Sequence, residues 1–151
     1  MGRSPLAQTL LTVCTMSKPI PPISKFMTTT PHTAESSDTL ATAAKVMREH
    51  GIRHLPVVEG GKLLGIITER DIRFVESFQD VDPEELTLEE AMTEEPYTVS
   101  PDTPLDEVAT TMAEQKYGSA LVVQNEQIVG VFTTVDACRA LAELLSTRLR
   151  K

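Results

Sequence analysis

Apolar and polar positions along the chain follow one pattern that occurs twice, 65 residues apart. When residues 27–71 are aligned with residues 92–136 without a gap, thirteen positions are identical, and many others exchange one apolar residue for another. The identical positions of the first copy are Met27, Thr28, Pro31, Thr33, Leu40, Ala44, Met47, Glu49, Val57, Val58, Gly65, Thr68 and Asp71. Two copies at so long a period indicate a duplicated supersecondary unit, because a solenoid needs three or more repeats.

Each copy predicts the element order strand, helix, strand, strand, helix. A short strand at 32–34 or 97–99 precedes a helix with apolar positions every three to four residues, which ends at Gly51 in the first copy. Two β-rich runs around a short turn then predict a hairpin. A second helix follows each hairpin, and the last one is predicted over about 134–149.

Residues that cap helix N-termini mark where the helices begin. Asp38 takes the cap position in the first copy, and Thr103 with Asp106 predicts a capping box in the second. Thr87, with Glu90 three residues on, predicts a further short helix that opens the second copy.

These elements divide the chain into a flexible N-terminal arm (1–22), a first repeat (23–78), an acidic linker (79–86) and a second repeat with the C-terminal helix (87–151). One repeat of about 55 residues with a three-stranded sheet buries too little apolar surface to be stable alone. We therefore expect an α+β fold in which two βαββα repeats pack as a pseudo-twofold pair. The cleft between them is the natural ligand site.

Composition and charge argue against nucleic acid and membranes as partners. The net charge is −8, and 14 basic residues scattered among 22 acidic ones form no basic surface for nucleic acid. No apolar run approaches the ~18 residues needed to span a bilayer, so no membrane partner is expected. Cys14 and Cys138 lie in unrelated contexts and are expected to be reduced thiols of a cytoplasmic protein.

Several motifs in this order resemble a tandem CBS (cystathionine-β-synthase) domain pair, or Bateman module. Each repeat opens with Met-Thr. Residues 52–58 read Ile-Arg-His-Leu-Pro-Val-Val, residues 64–71 read Leu-Gly-Ile-Ile-Thr-Glu-Arg-Asp, and residues 99–105 read Val-Ser-Pro-Asp-Thr-Pro-Leu. The resemblance covers about residues 23–145.

The resemblance implies a regulatory module that binds adenosine-containing ligands such as AMP, ADP, ATP or S-adenosylmethionine, with no required cofactor. It also implies a homodimer, for which the apolar stripe Leu141, Leu144, Leu145 and Leu149 is a candidate interface. No enzyme or transporter domain accompanies the two repeats, which leaves the output of any sensing open. An unidentified regulated protein is the expected partner. The sequence has no nucleophile–base motif, Gly-rich phosphate loop or metal-ligand cluster, so an enzyme is not expected.

The family's crossed geometry implies a first cleft built from both repeats. Thr133 and Asp136 lie at a strand-to-helix junction, where the carboxylate would accept hydrogen bonds from the ribose hydroxyls. The residues that the first repeat would add are Thr33, Ala34, Arg53, His54 and Pro56. Among these, the basic side chains would approach the phosphates, which makes this cleft the expected phosphate-bearing one.

The second cleft would combine the other junction with the second repeat. Its implied members are Thr68, Arg70 and Asp71 with Thr98, Val99, Tyr117 and Ser119. Gly118 and Ser119 stand where the first repeat has Arg53 and His54, so this turn is less basic. Unless Arg70 and Lys116 compensate, the second cleft is expected to be empty or to take a less charged ligand.

Other interpretations stay open at this point. Thr-x-x-Asp is also an ordinary capping box with no ligand. A dimerising scaffold that binds nothing would have the same fold, and an enzyme is a distant third possibility. His50 and His54 have the spacing of a helical metal pair, but Gly51 between them breaks the helix that such a pair requires.

Overall fold

The computed structural model describes residues 18–29 and 31–149, so Cys14 and residues 1–17 of the predicted arm lie outside the described residues. A single 3-10 turn, Ile23–Lys25, precedes the strands and helices. These are β1 (Thr28–Thr29), β2 (Ala34–Glu35), α1 (Leu40–His50), β3 (His54–Glu59), β4 (Lys62–Thr68), α2 (Glu69–Glu76), α3 (Leu88–Ala91), β5 (Thr93–Glu94), β6 (Thr98–Val99), α4 (Leu105–Gln115), β7 (Ser119–Gln124), β8 (Gln127–Thr133) and α5 (Thr134–Arg148). The predicted α+β fold is confirmed.

The strands form two four-stranded sheets, in the orders β2-β3-β4-β5 and β1-β8-β7-β6. The prediction of three strands per sheet was wrong because each repeat also begins with a short strand that was not predicted, β1 or β5, and this strand joins the sheet of the other repeat. Strand β1 of the first repeat pairs antiparallel with β8, and β5 of the second repeat pairs antiparallel with β4. Each sheet is therefore completed by the other repeat.

Two buried residues that lie just before the exchanged strands in the sequence also pack in the core of the other repeat. Ile23 is fully buried in the core of the second repeat, with Val108 and Phe132. Leu88, which has the equivalent position 65 residues later, is fully buried in the core of the first repeat, with Leu40. The exchange thus includes side chains that each core needs as well as edge strands.

The backbone around the two buried residues repeats the same exchange. The N–H of Leu105, at the start of α4, donates to the carbonyl of Pro21 (2.9 Å). At the equivalent place, the N–H of Leu40 in α1 donates to the carbonyl of Leu86 (2.9 Å), in the segment predicted as a linker. The first N–H groups of a helix have no partner inside the helix. Here the residues just before the other repeat's exchanged strand accept hydrogen bonds from them through their backbone carbonyls.

Two predicted helix caps were wrong by one position. Thr39, not Asp38, caps α1, and its side chain accepts from the N–H of Thr42. Asp38 instead accepts from the backbone of the preceding strand. In the second repeat, the cap of α4 is Pro104, and Thr103 uses its hydroxyl to accept from the turn before the helix, so the predicted capping box does not form.

The remaining local predictions fare better. Gly51 ends α1 in the left-handed region with φ 62°, as predicted. Both hairpins and the short α3 helix are confirmed, and Glu90 accepts a hydrogen bond from the N–H of Thr87 (3.1 Å). Strands β2 and β6, which were predicted at 32–34 and 97–99, begin later, at Ala34 and Thr98. His32, just before β2, is not part of the strand, and its ring stacks on that of His50 at the end of α1.

The two sheets meet through a small apolar cluster, in which Ile66 of β4 contacts Leu121 of β7 and Val131 of β8. The cluster joins the repeats at the sheet faces that point away from their helices. Within the described part of the chain, no helix is both long and apolar enough to cross a membrane.

Candidate functional site

The two Thr-x-x-Asp motifs each end a hairpin and begin a helix. In the first, Oδ2 of Asp71 accepts a hydrogen bond from the N–H of Thr68 (3.0 Å), and Oγ1 of Thr68 accepts from the N–H of Asp71 (3.1 Å). Thr133 and Asp136 make the same two bonds, at 2.9 and 3.3 Å. Both motifs are therefore capping boxes, and each carboxylate keeps its Oδ1 outside these bonds.

Asp136 is the more buried of the two carboxylates, with a side chain that is 11% exposed. Its Oδ2 also accepts from the hydroxyl of Thr133 (3.1 Å), and its Oδ1 lies 3.8 Å from Nη1 of Arg139. All of these partners belong to the start of α5. Among the described residues, no hydrogen bond or ion pair links Asp136 to the first repeat, so its grouping with Arg53 stays a prediction.

The basic turn of the first repeat lies against the junction of that same repeat. After Gly51 the chain enters β3, where His54 pairs with Thr68 of β4. The carbonyl of Arg53 accepts a hydrogen bond from the N–H of Glu69 (2.9 Å), the first residue of α2. Strand pairing and this backbone bond therefore hold the turn beside the helix start.

The imidazole of His54 also reaches the second repeat. A Cβ atom added to Gly118 would lie 2.9 Å from Nε2 of His54, so glycine leaves the room that the ring uses. Gly118 has the position in the second repeat that Arg53 has in the first. The two turns therefore lie next to each other where the repeats make contact, with the charged turn on the first repeat's side.

A cavity of about 280 Å³ opens at this turn. The residues that line it are Arg53, His54, Thr68, Glu69, Arg70 and Arg73. Three arginines against one glutamate make the local field positive in a chain whose net charge is −8. The cavity gathers basic residues that the sequence assigned to two different clefts.

A second cavity of about 420 Å³ lies between α1 and α2 and shares Arg53, Glu69 and Arg73 with the first. Its apolar lining includes Met47 and Ile72, which also belong to the first core. The Thr68 junction lines only the smaller cavity, so we take the smaller one as the candidate site.

The other first-repeat residues of the predicted cleft have distinct surroundings. Ala34 pairs with Val57 and has its side chain buried in the first core, so only its backbone can face a ligand. Pro56 alternates along β3 with the core residues Leu55 and Val57, so its buried ring lies on the opposite sheet face, toward the second repeat. Thr33 is exposed just before β2.

The second-repeat residues of the other predicted cleft lie around β6 and β7. Thr98 is exposed, Ser119 is half-buried at the start of β7, and Val99 packs against the second core. The ring of Tyr117 stacks on Tyr97 with centroids 5.3 Å apart, and it remains exposed. An exposed stacked ring of this kind offers a surface to a planar base.

Two residues of the site were missed by sequence reasoning, namely Glu69 and Arg73. Oε1 of Glu69 lies 2.7 Å from Nη2 of Arg73, and its Oε2 lies 3.6 Å from Nε of Arg53. The spacing of four residues between Glu69 and Arg73 was a usable signal, because such residues are neighbours on a helix surface. The ion pair between Glu69 and Arg53 could not be predicted in this way, because it depends on the pairing of β3 with β4.

The described residues contain no group of three or more His, Cys, Asp or Glu side chains placed to hold a metal ion. The ring of His50 stacks on His32, with centroids 3.7 Å apart, while His54 lies in the candidate site. The two histidines considered as a metal pair thus have separate surroundings.

Burial lowers the pKa of the His54 imidazole below its ordinary value of 6.5. The neighbouring guanidinium of Arg53 lowers this pKa further, while the carboxylate of Asp71 opposes both effects. The ring is therefore neutral near pH 7 and can accept one hydrogen bond and donate another.

This lowered pKa predicts a dependence of stability on pH. The unfolded chain binds a proton at His54 more readily than the folded chain, so the free energy of unfolding should fall as pH drops from about 7 through the lowered pKa. His54→Gln should remove this part of the slope, as measured by urea unfolding at a series of pH values. An identical slope in the variant would contradict the assignment.

The comparisons with known proteins identify the family. The CBS domain family model matches residues 23–77 and 88–143. The chain belongs to the CBS domain family. Its two matched segments form a tandem CBS domain pair, which is a regulatory module.

Two solved structures are similar to this CBS pair over most of its length. The crystal structure of the protein named AcuB from Vibrio cholerae has a TM-score of 0.79 and 30% identity, covering 88% of this chain and 98% of that one. The CBS domain pair of protein MJ0100, in complex with 5′-methylthioadenosine and S-adenosyl-L-methionine, has a TM-score of 0.76 and 34% identity. That likeness covers 83% of this chain and 99% of that one.

A curated relative from Methanocaldococcus jannaschii, L-aspartate semialdehyde sulfurtransferase, is 36% identical over 126 residues. The match covers 82% of this CBS pair but only 24% of the sulfurtransferase. The chain thus spans about a quarter of the length of that relative.

Proposed function

We propose that this CBS pair is a cytoplasmic regulatory module, without enzymatic activity of its own, that binds an adenosine-containing ligand of the AMP, ADP or ATP class between its repeats. Ligand binding changes the fit of one repeat against the other and is passed to a partner protein. The observation that carries the proposal is the arginine-bordered cavity beside the Thr68 junction, which His54 connects to Gly118 of the other repeat.

The chemistry of the cavity supports this class of ligand. Guanidinium groups bind phosphate oxygens through paired hydrogen bonds. Asp71 does not line the cavity but belongs to the same junction, and its Oδ1, which the capping box does not use, can accept from a ribose hydroxyl. The MJ0100 pair, 34% identical to this chain, was crystallised with two adenosine-containing molecules. A volume of about 280 Å³ suits part of a nucleotide and is near the lower end of small-molecule sites.

The first test is a thermal-melt screen against AMP, ADP, ATP, S-adenosylmethionine, 5′-methylthioadenosine and NAD. A ligand at ~100 times its dissociation constant adds about 2.7 kcal/mol to the free energy of unfolding. In a chain of this size, that corresponds to a rise in melting temperature of roughly 5 to 10 °C.

Asp136 does not line the cavity, and the predicted first cleft assigns it the ribose of the same ligand. If that assignment is right, Asp136→Asn should weaken binding of the identified ligand by about 10- to 100-fold, because it removes a charge-assisted hydrogen bond to the ribose. Isothermal titration measures the dissociation constant directly. The substitution also weakens a capping box, so Glu90→Gln, which alters the exposed capping box of α3, serves as the matched control. An unchanged dissociation constant in Asp136→Asn would contradict a ribose contact at this junction.

A specific observation favours a dimerising scaffold as the second candidate. Leu141, Leu145 and Leu149 of the predicted stripe are exposed, as is Phe74 on α2, while Leu144 packs against the second core. Exposed apolar side chains on adjacent turns of a helix are typical of an interface, and we propose a homodimer through them. If no nucleotide shifts the melting temperature at millimolar concentration, the scaffold becomes the better interpretation.

A further inference from the structure

The two cavity arginines Arg53 and Arg73 already have an anionic partner inside the protein. The carboxylate of Glu69 lies 2.7 Å from Arg73 through Oε1 and 3.6 Å from Arg53 through Oε2, so one carboxylate bridges both guanidinium groups. Both arginine side chains are more than three-quarters exposed, at 78% and 76%. They are accessible to a dissolved anion that can compete with Glu69.

The position of Glu69 is set by the backbone. Thr68 caps α2, so Glu69 is the first residue of the helix, and its N–H donates to the carbonyl of Arg53 (2.9 Å). The backbone of Glu69 is therefore anchored next to that of Arg53, while the i, i+4 spacing places Arg73 on the same helix face. This placement keeps the Glu69 carboxylate within reach of both guanidinium groups.

The second repeat has the same backbone without these charges. The N–H of Thr134 donates to the carbonyl of Gly118 (3.1 Å), in the same way as Glu69 donates to Arg53. The positions equivalent to Arg53, Glu69, Arg70 and Arg73 are Gly118, Thr134, Val135 and Cys138. Because the second junction folds without any charged residue at these positions, the charge cluster is not a requirement of the fold.

We propose that Glu69 is a built-in competitor for the phosphate-binding arginines and a determinant of ligand specificity at the first junction. This rests on the proposed function, because a nucleotide phosphate must displace the Glu69 carboxylate from Arg53 and Arg73. A phosphate that carries two negative charges competes well with a single carboxylate, whereas an uncharged nucleoside gains nothing from the displacement. Glu69 thereby lowers the affinity for anionic ligands and leaves the affinity for uncharged ones unchanged, so it shifts the selectivity of the junction away from phosphates and toward uncharged nucleosides.

The test measures dissociation constants of the full chain and of Glu69→Gln for ATP, for uncharged 5′-methylthioadenosine and for inorganic tripolyphosphate. Exposed ion pairs of this kind are weak, so Glu69→Gln should tighten ATP and tripolyphosphate binding by roughly 2- to 10-fold at low salt, and less at high salt. Binding of 5′-methylthioadenosine should not change.

Glu49→Gln is the matched control, since Glu49 forms an i, i+4 pair with Lys45 on α1 and lines neither cavity. It removes the same charge and should leave all three dissociation constants unchanged. Glu69→Ala, which also removes the carboxylate, repeats the test if the glutamine variant folds poorly.

The outcomes separate this inference from the proposed function. If Glu69→Gln tightens tripolyphosphate but no adenosine-containing molecule binds, the competitor role stands and the nucleotide function fails. If 5′-methylthioadenosine and ATP bind the wild-type chain but Glu69→Gln leaves ATP and tripolyphosphate unchanged or weaker, the competitor role is overturned while the nucleotide function stands. Equal tightening of the uncharged ligand would also overturn it.

Discussion

Ile23→Ala is expected to lower the free energy of unfolding by about 2 to 5 kcal/mol, the range for removing a fully buried aliphatic side chain. Ile23 precedes the first repeat's helices in the sequence, yet it is fully buried in the core of the second repeat. The loss should be seen in urea unfolding as a lower midpoint at an unchanged slope. It is a large share of the ~5 to 15 kcal/mol that stabilises a typical domain.

Ile20→Ala provides the control for this prediction within the same segment. Ile20 is half exposed, so its truncation should change the free energy of unfolding by no more than about 0.5 kcal/mol. Leu88→Ala should cost as much as Ile23→Ala because Leu88 has the reciprocal place in the first core. A cost for Ile23→Ala as small as that for Ile20→Ala would show that the segment does not complete the second core in solution.

Native-state hydrogen exchange can show which repeat each of these two substitutions destabilises. Ile23→Ala should speed exchange first at amides of β7 and β8, in the second repeat, and Leu88→Ala first at amides of β3 and β4, in the first. The opposite assignment would mean that each residue supports its own repeat, which the exchange of segments does not allow.

Gly65→Ala is expected to destabilise the chain by about 1 to 3 kcal/mol, and by more than the equivalent Gly130→Ala. A Cβ on Gly65 would lie 2.5 Å from the backbone carbonyl oxygen of Thr93 and 2.8 Å from the sulfur of Met92. To relieve the first contact, strand β5 itself must shift. The three atoms nearest to a Cβ on Gly130 all belong to the side chain of Met27, which can change rotamer.

Urea unfolding of the two variants side by side tests this difference. Both substitutions add the same methyl group at equivalent strand positions, so each variant controls for the other's change in β propensity. If the two variants lost equal free energies of unfolding, or if Gly130→Ala lost more, the prediction would be contradicted. Strand β5 would then shift as easily as the side chain of Met27 changes rotamer.

Much of the local structure could be predicted because its causes lie within a few residues. The left-handed end of α1 follows from Gly51, and the paired apolar runs predicted both hairpins. The capping boxes of Thr68 and Thr133 were readable from their spacing alone. The caps of α1 and α4 were misplaced by one residue because Asp38 and Thr103 have a second use, as acceptors for the preceding turns.

The candidate site was predicted only in part. Arg53, His54, Thr68 and Arg70 were all singled out from the sequence, and the structure places them around one cavity. The sequence interpretation had divided them between two clefts, and it contained no role for Glu69. A salt bridge between Glu69 and Arg53 depends on the pairing of β3 with β4, which brings residues 16 positions apart into contact.

By itself, the sequence determined the duplication, the element order and the family, because these depend on a 65-residue period and on motifs that can be read locally. Only the tertiary structure decided which repeat each first strand completes. Ile23 and Leu88 are large apolar residues at equivalent positions of the duplicated sequence, so the local pattern does not tell which core each of them enters. The choice rests on long-range packing, which also decides that His54 lies against Gly118 of the second repeat and that Arg53, Arg70 and Arg73 surround one cavity.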